Sequence, residues 1–303
     1  QCMFAIITPA LITGAFAERM RFSAFLIFIV LWCTFVYAPL CHWVWGGGWM
    51  AKMGALDFAG GAVVHMSSAS AALAAALVIG KRKGWGKRSF LPHNLPMTMI
   101  GTALLWFGWF GFNAGSALAA NELAGSAFVT THMAAATAML AWLLFEWKFH
   151  GKPTTLGAAS GAVAGLVAIT PAAGFVGVIP SVLIGLGAGI FCYLGVSLKS
   201  RFGYDDSLDV VGIHGVGGIW GALATGLFAT KAVNAAGADG LFYGNPGQLW
   251  IQFVSVVATL AFSFIVTYAL LKIVGAITPL RVTEEEEEAG LDVSQHSESA
   301  YQA

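Results

Sequence analysis

Runs of about 20 apolar residues recur along the whole chain and constrain its fold more than any other feature. Each can cross a hydrocarbon core of about 30 Å as a helix, and only helices or closed barrels satisfy their backbone polar groups there. The runs fall at about 1–17, 23–45, 59–80, 95–118, 123–147, 155–171, 175–198, 210–230 and 248–279. Of the 303 residues, 58% are hydrophobic and 10% are charged, against about 25% charged in soluble domains. The chain therefore reads as an all-α polytopic membrane protein. A net charge of zero argues against nucleic acid as a partner. The four cysteines (Cys2, Cys33, Cys41, Cys192) lie in apolar segments without C-x-x-C spacing and read as small packing residues, not metal ligands.

The basic residues orient these spans. Alternate loops carry Arg19 and Arg21; Lys81, Arg82, Lys83, Lys87 and Arg88; Lys148 and Lys152; Lys199 and Arg201; and Lys272 and Arg281. These are thirteen of the fifteen Lys and Arg, leaving Lys52 and Lys231 for the opposite side. The positive-inside rule places those loops and the carboxyl tail in the cytoplasm. Nine crossings from an outside start also end inside. The opening "QCMFAIITPALITGAFAERM" lacks the basic flank of a signal peptide and reads as the inner part of a span continued upstream.

Spans 59–80 and 210–230 resemble each other. Each follows an aspartate (Asp57, Asp209), soon reaches a histidine (His65, His214) and continues through Gly and Ala, one running inward and the other outward. That is the weak symmetry of an inverted-repeat transporter. Small residues such as Gly61, Ala69, Gly217 and Gly221 permit close helix packing. A lone intramembrane histidine is often a packing residue bonded to a carbonyl. Two on counterpart spans favour a lined pathway, where a neutral pair shares a proton and offers a small solute both a donor and an acceptor. At 1.5 Å per residue His65 lies only about 9 Å, and His214 about 6 Å, into its span. They meet only if both helices start below the membrane surface, with Asp57 and Asp209 as helix N-caps. The loops "WGGGWMAKMGALD" and "RFGYDDSLD" suit such a dip.

Aromatic residues form a second cluster. "CHWVWGGGW" and "LLWFGWFGFNAGS" put Trp45, Trp109, Phe112 and Ser116 near the outer ends of their spans. A single Trp there can be an interfacial anchor. Trp109, Phe112 and Ser116 at helical spacing share one face, where rings attract cations and a hydroxyl accepts from N–H donors. His132 reads as a packing residue, and His42, His93, His150 and His296 fall at span ends, loops or the tail.

These motifs resemble the Amt/Mep/Rh ammonium transporters, most closely the bacterial Amt branch. They are "AFAERMRFSAFLIF", "VWGGGWMAKMGALDFAGGAVVH", "LPHNLPM", "GWFGFNAGS", "DVVGIHGVGGIWG" and "GLDVSQHSESAY". The resemblance covers essentially the whole chain. It implies an ammonium transporter fold, an inverted 5+5 pseudo-repeat plus a final long helix, with the first two of eleven spans and part of the third upstream of Gln1. It divides the chain into a transmembrane domain, 1–280, and a cytoplasmic regulatory tail, 281–303. It implies an outer recruitment site for ammonium at Trp45, Ser116 and Phe4, with a further ring just before Gln1. Phe4 and Phe112 correspond to two stacked phenyl rings gating the outer mouth, and His65 and His214 to the twin histidines of the pore. Asp57, Trp109, Asn113 and Asp209 support the site without holding the solute. His132 departs from the family's apolar residue.

The resemblance further implies a multi-pass protein of the plasma (inner) membrane and a homotrimer. Its tail docks on a neighbouring subunit, and a PII-type regulator plugs the cytoplasmic face. Like charges in the tail's five consecutive glutamates oppose helix formation there. The function it implies is recruitment and deprotonation of ammonium, then conduction of ammonia with proton co-transfer, without cofactor or metal. The alternatives are an Rh-type neutral ammonia or carbon dioxide channel, and an ammonium sensor. No G-x-S-x-G, P-loop or H-E-x-x-H motif of an enzyme is present.

Overall fold

The computed structural model describes residues 1–301. Nine apolar helices follow one another: α1 (Cys2–Phe16); α2 (Phe22–Trp32, a π-turn at Cys33–Tyr37, then Ala38–Val44); α3 (a π-turn at Gly61–Met66, then Ser67–Ile79); α4 (Leu95–Ala114); α5 (Glu122–His150); α6 (Thr155–Ile169); α7 (Val178–Phe202); α8 (a π-turn at Val211–Gly215, then Val216–Phe228); and α9 (Pro246–Ile277). Seven are long and apolar enough to cross a membrane, whereas α1 and α6, at 15 residues each, are shorter than that. Their ends follow ordinary chemistry. Asn94, Asn121 and Thr154 cap α4, α5 and α6 by accepting the backbone N–H three residues on. Gly151 and Gly203 close α5 and α7 with positive φ.

Two cores form side by side. One joins α1, α2 and α3 to α9 around Phe28, Trp32 and Leu40; the other joins α5, α6 and α7 around Trp142, Leu166 and Ile184. α3 is buried nearly all round, so the run of small residues from Ser67 to Ala76 lets several helices approach it at once. α3 and α8 run antiparallel and bring their π-turns together at the seam between the cores. Gly221 on α8 passes so close to the backbone of Ala168 that a β-carbon would collide with it.

The last helix carries a signal that hydropathy alone overlooks. Gln248, Gln252, Ser255, Thr259, Ser263 and Thr267 recur every three or four residues and are all buried. They form a polar stripe facing the bundle. Ser263 donates to Ser67 O at 2.6 Å, Thr267 accepts the Trp32 indole N–H at 2.9 Å, and Ser70 of α3 returns a bond to Leu260 O at 2.7 Å. Between helices in hydrocarbon such bonds substitute for the hydrophobic effect that water would supply.

The face bearing the basic loops is tied by buried charge. Arg19, fully buried, donates to Gly80 O, Ala15 O, Asp205 O and Ser207 Oγ. Arg82 makes a two-pronged pair with Asp205 at 2.9 and 2.8 Å. Burial pushes the Asp205 carboxyl up, but the Arg82 side chain and backbone N–H outweigh it and hold the group below its ordinary value. The folded state therefore gains stability from Asp205 above its unfolded pKa and loses it as pH falls through the lower folded value.

The tail corrects one expectation. Its glutamates form a short helix, α10 (Glu284–Ala289), followed by α11 (Leu291–His296). Thr283 and Glu286 make a reciprocal capping box, and four glutamates occupy the first turn, where the helix dipole is positive. Basic loops neutralise the rest. Lys83 lies 3.3 Å from Glu284 and 3.1 Å from Glu288, Arg281 2.6 Å from Glu287, and Arg21 3.5 Å from Glu286. The tail lies on the chain's own basic loops, and Phe22 packs edge-on against His296. Lys83→Glu should loosen it: limited proteolysis should cut after residue 283 several-fold faster at low salt, with the difference shrinking as salt screens the parent's pairs. Equal cleavage of parent and variant would show that the ion pairs do not hold the tail.

Candidate functional site

The site grows from an irregular stretch of backbone before α3. Asp57 Oδ1 accepts the N–H groups of Gly60 and Gly61 at 2.8 and 2.6 Å, and Oδ2 accepts those of Ala62 and Val63 at 2.8 and 3.3 Å. One carboxylate thus satisfies four amides that would otherwise be orphaned at a buried helix start. The turn passes through Gly60 at φ 117°, a conformation closed to residues with a β-carbon. Gln252 of α9 pairs with Leu56 as a peptide group would: Oε1 accepts the Leu56 N–H and Nε2 donates to Leu56 O, both at 2.8 Å, with Ala222 O of α8 at 3.1 Å. Non-helical backbone survives at this depth because protein encloses and bonds it.

The counterpart stretch before α8 departs from expectation. Asp209 does not cap the helix; it sits at φ 62° and pairs with Lys199 at 2.5 Å. Asp206, fully buried, accepts the Val211 N–H at 2.7 Å. The reason is register. Asp206 precedes His214 by eight residues, as Asp57 precedes His65, and each aspartate is followed three residues later by a left-handed residue, Asp209 or Gly60. Only a carboxylate set back by a turn can reach amides that a π-turn leaves open. Burial pushes the Asp206 carboxyl up to about 6, the Val211 amide opposing it.

Both histidines lie in these π-turns, His65 in Gly61–Met66 and His214 in Val211–Gly215. The wider turn carries each side chain inward from a helix that begins inside the protein. His65 is 1% exposed and His214 9%, and their Nδ1 atoms are 3.2 Å apart. One ring must donate and the other accept, with the tautomers set by that bond. The His65 ring lies nearly parallel to Trp109, at 5.4 Å and 23°, and to Phe112, at 5.9 Å and 16°. His65 Nε2 is buried with no partner among the described residues. A buried imidazole nitrogen left free is positioned to serve a small solute.

Above the histidines sits an aromatic group. Phe4 of α1 meets Phe112 at 4.5 Å and Trp45 at 5.6 Å. The two phenyl rings are not stacked but edge-on, at 85°, the arrangement that sets a positive ring edge against a negative face. The Trp45 indole N–H donates to Asp57 O at 2.8 Å, so the stretch that starts α3 also fixes the tryptophan. Ser116 donates to Phe112 O at 2.8 Å, leaving its own oxygen open as an acceptor. Behind the rings Trp109 and Asn113 are buried in a hydrogen-bonded group with Thr131 and Thr170. His132 is exposed on the outside of α5 against Trp106, so it is neither a packing residue of the interior nor part of the site. Asp206, Gln252, Thr131 and Thr170 escaped the reading of the sequence. The α9 stripe could have revealed Gln252 by its period.

Comparison with known proteins identifies the family. Residues 1–301 match the family model described as the Ammonium Transporter Family. The chain is 59% identical over 303 residues to the ammonium transporter of Bacillus subtilis, covering 100% of this chain and 74% of that protein. It is 55% identical over 301 residues to the ammonium transporter Amt1 of Archaeoglobus fulgidus, covering 99% and 76%. Among solved structures it resembles Mep2 of Saccharomyces cerevisiae, with a TM-score of 0.87 and 41% identity over 94% of this chain and 66% of that one. A protein described as a sensor Amt protein aligns with a TM-score of 0.89 and 33% identity, over 96% and 74%. An all-helical membrane fold, these relatives and a match along its described length together place the chain in the ammonium transporter family, whose members are transporters or channels and not enzymes.

Proposed function

We propose that the chain recruits ammonium at an outer aromatic mouth, deprotonates it, and conducts ammonia past His65 and His214 while a proton crosses with it. The observation that carries this reading is the buried imidazole pair at 3.2 Å, with a free Nε2 on His65. A bare ammonium ion in a medium of low dielectric constant would face a Born cost of tens of kcal/mol. Ammonia and a proton moved apart avoid it. The paired rings accept and donate hydrogen bonds to ammonia and provide a carrier for the proton, while an apolar wall rejects alkali ions, which have no proton to lose.

In this reading Trp45, Phe4 and Ser116 hold the ion at the mouth by cation–π attraction and the serine oxygen. Phe4 and Phe112 form the gate, and Asp57, Trp109, Asn113 and Asp209 support it, with Asp206 taking the capping role at the second helix start. Residues 1–280 form the transport unit and 281–303 a regulatory tail. The basic face is cytoplasmic in the plasma (inner) membrane. Homotrimer formation and capping of that face by a PII-type protein complete the proposal. A sensor is the second reading, favoured by the resemblance to the sensor Amt protein. Ammonium-evoked current across proteoliposomes on a solid-supported membrane separates the two. A transporter gives a current whose peak saturates with ammonium and whose decay speeds up with protein density, and its absence would overturn the reading.

Trp45→Leu tests the mouth. Loss of a cation–π contribution of about 0.5–2 kcal/mol should raise the half-saturating ammonium concentration roughly 2- to 30-fold, with little change in maximal current. An unchanged concentration dependence would reduce Trp45 to an interfacial anchor.

A further inference from the structure

Among the described residues the His65 ring bonds to His214 alone, so its orientation depends on the rings beside it. Trp109 is the larger of these, 4% exposed and 5.2 Å from Phe112 in the same stack. Its indole has one polar handle. The Nε1–H donates at 2.9 Å to Thr170 Oγ1, in the turn that ends α6, and Thr170 is fully buried.

The same hydroxyl has one proton. It donates that proton to Leu166 O at 2.7 Å, with Asn113 Oδ1 within reach at 3.3 Å. Both of its functions are therefore in use, and its lone pair faces the indole. Asn113 continues the chain by donating to Thr131 at 2.9 Å, and Thr131 donates to Ala127 O at 2.6 Å. Three side chains, Asn113 of α4, Thr131 of α5 and Thr170 at the end of α6, thus converge behind one indole. The buried indole N–H needs an acceptor, and this one is itself fixed by bonds to two helices, so the ring has one bonded orientation beside His65.

We propose that Thr170 is a positioning residue for the conduction step: its hydroxyl locks the Trp109 indole parallel to His65, and so sets the imidazole facing the passing solute. The inference rests on the histidine-pore reading and deepens it. The side-chain hydrogen bonds of Thr170 go to Trp109, Asn113 and Leu166, and none goes to the mouth residues Trp45, Phe4 and Ser116. Its loss acts on passage and leaves recruitment alone. Valine at this position keeps the shape and removes the acceptor, which strands the indole N–H in a buried site and frees the ring to turn.

The test is current from proteoliposomes holding equal amounts of parent, Thr170→Val, Thr170→Ser and His65→Ala proteins. Thr170→Val should lower the maximal ammonium-evoked current about tenfold, with the half-saturating concentration within about twofold of the parent's. Thr170→Ser, which restores the acceptor, should recover most of the current. Trp109→Phe removes the donated proton from the other partner and should fall by a similar factor. The double variant with Thr170→Val should fall no further. If Thr170→Val does not reconstitute, Trp109→Phe and Thr170→Ser carry the same comparison. Full current in Thr170→Val, or equal losses in the Val and Ser variants, would overturn the inference. Parent-like current in His65→Ala would instead overturn the pore reading. Loss in His65→Ala with Thr170→Val unaffected would defeat this inference alone.

Discussion

Replacing either His65 or His214 with Ala is expected to abolish the ammonium-evoked current while leaving neutral ammonia able to cross. A proton cannot traverse an apolar passage without a titratable or hydrogen-bonded carrier. The Nδ1–Nδ1 contact at 3.2 Å makes the two rings one unit. Removing one ring leaves the other without a partner, so the effects should be strongly non-additive: the double variant should be no worse than either single one. The alanine also widens and dries the passage, which favours an uncharged solute. Current should fall at least about a hundredfold, the scale for losing a positioned proton-transfer group. Internal pH would rise as ammonia enters vesicles containing either variant. Full current in both single variants would leave the histidines a steric role and refute the relay.

Asp57→Ala should have the largest effect on the fold. Four amides, those of Gly60, Gly61, Ala62 and Val63, lose their acceptor in a buried place. Each unsatisfied amide costs about 1–3 kcal/mol, less where water enters or the turn relaxes, so about 4 kcal/mol or more is expected. The turn that presents His65, and the Asp57 carbonyl that holds Trp45, should shift together. Thermal unfolding in detergent should fall by on the order of 10 °C, and current should be lost with it. Asp57→Asn keeps one acceptor oxygen but turns an amide N–H₂ towards two donors, so it should lie between parent and alanine. An Asp57→Ala protein with parent-like unfolding and current would show that the amides find other partners.

Much of this was legible in the chain itself. Nine apolar runs became nine apolar helices, because helix length in hydrocarbon is set by composition. Polarity is costly there, so His65 and His214 stood out against it. The two starting aspartates were only half legible. Asp57 caps its turn, whereas pairing Asp209 with it by nearness to the histidine chose the wrong residue. Which carboxylate reaches open amides depends on the π-turn and on the left-handed residue between, and neither leaves a mark in hydropathy. The tail failed for the opposite reason. Like charges between neighbours argued against a helix, and the basic residues that reverse the balance, Arg21 and Lys83, come from loops far away in sequence.

By itself, then, the order of residues determined a helical membrane bundle, its alternating basic loops, a pair of intramembrane histidines and a group of aromatics near the end of one helix. Those follow from local physics: apolar length, charge near the interface and the expense of an imidazole in hydrocarbon. Only the tertiary structure decided that the two rings meet at 3.2 Å, that Phe4 meets Phe112 edge-on, and that His132 faces outwards. It also decided that Gln252, 196 residues from Leu56, holds the backbone on which Asp57 stands. Hydrogen bonds across such separations depend on which helix faces meet, and that is settled when antiparallel α3 and α8 pack through their glycines and alanines against one seam.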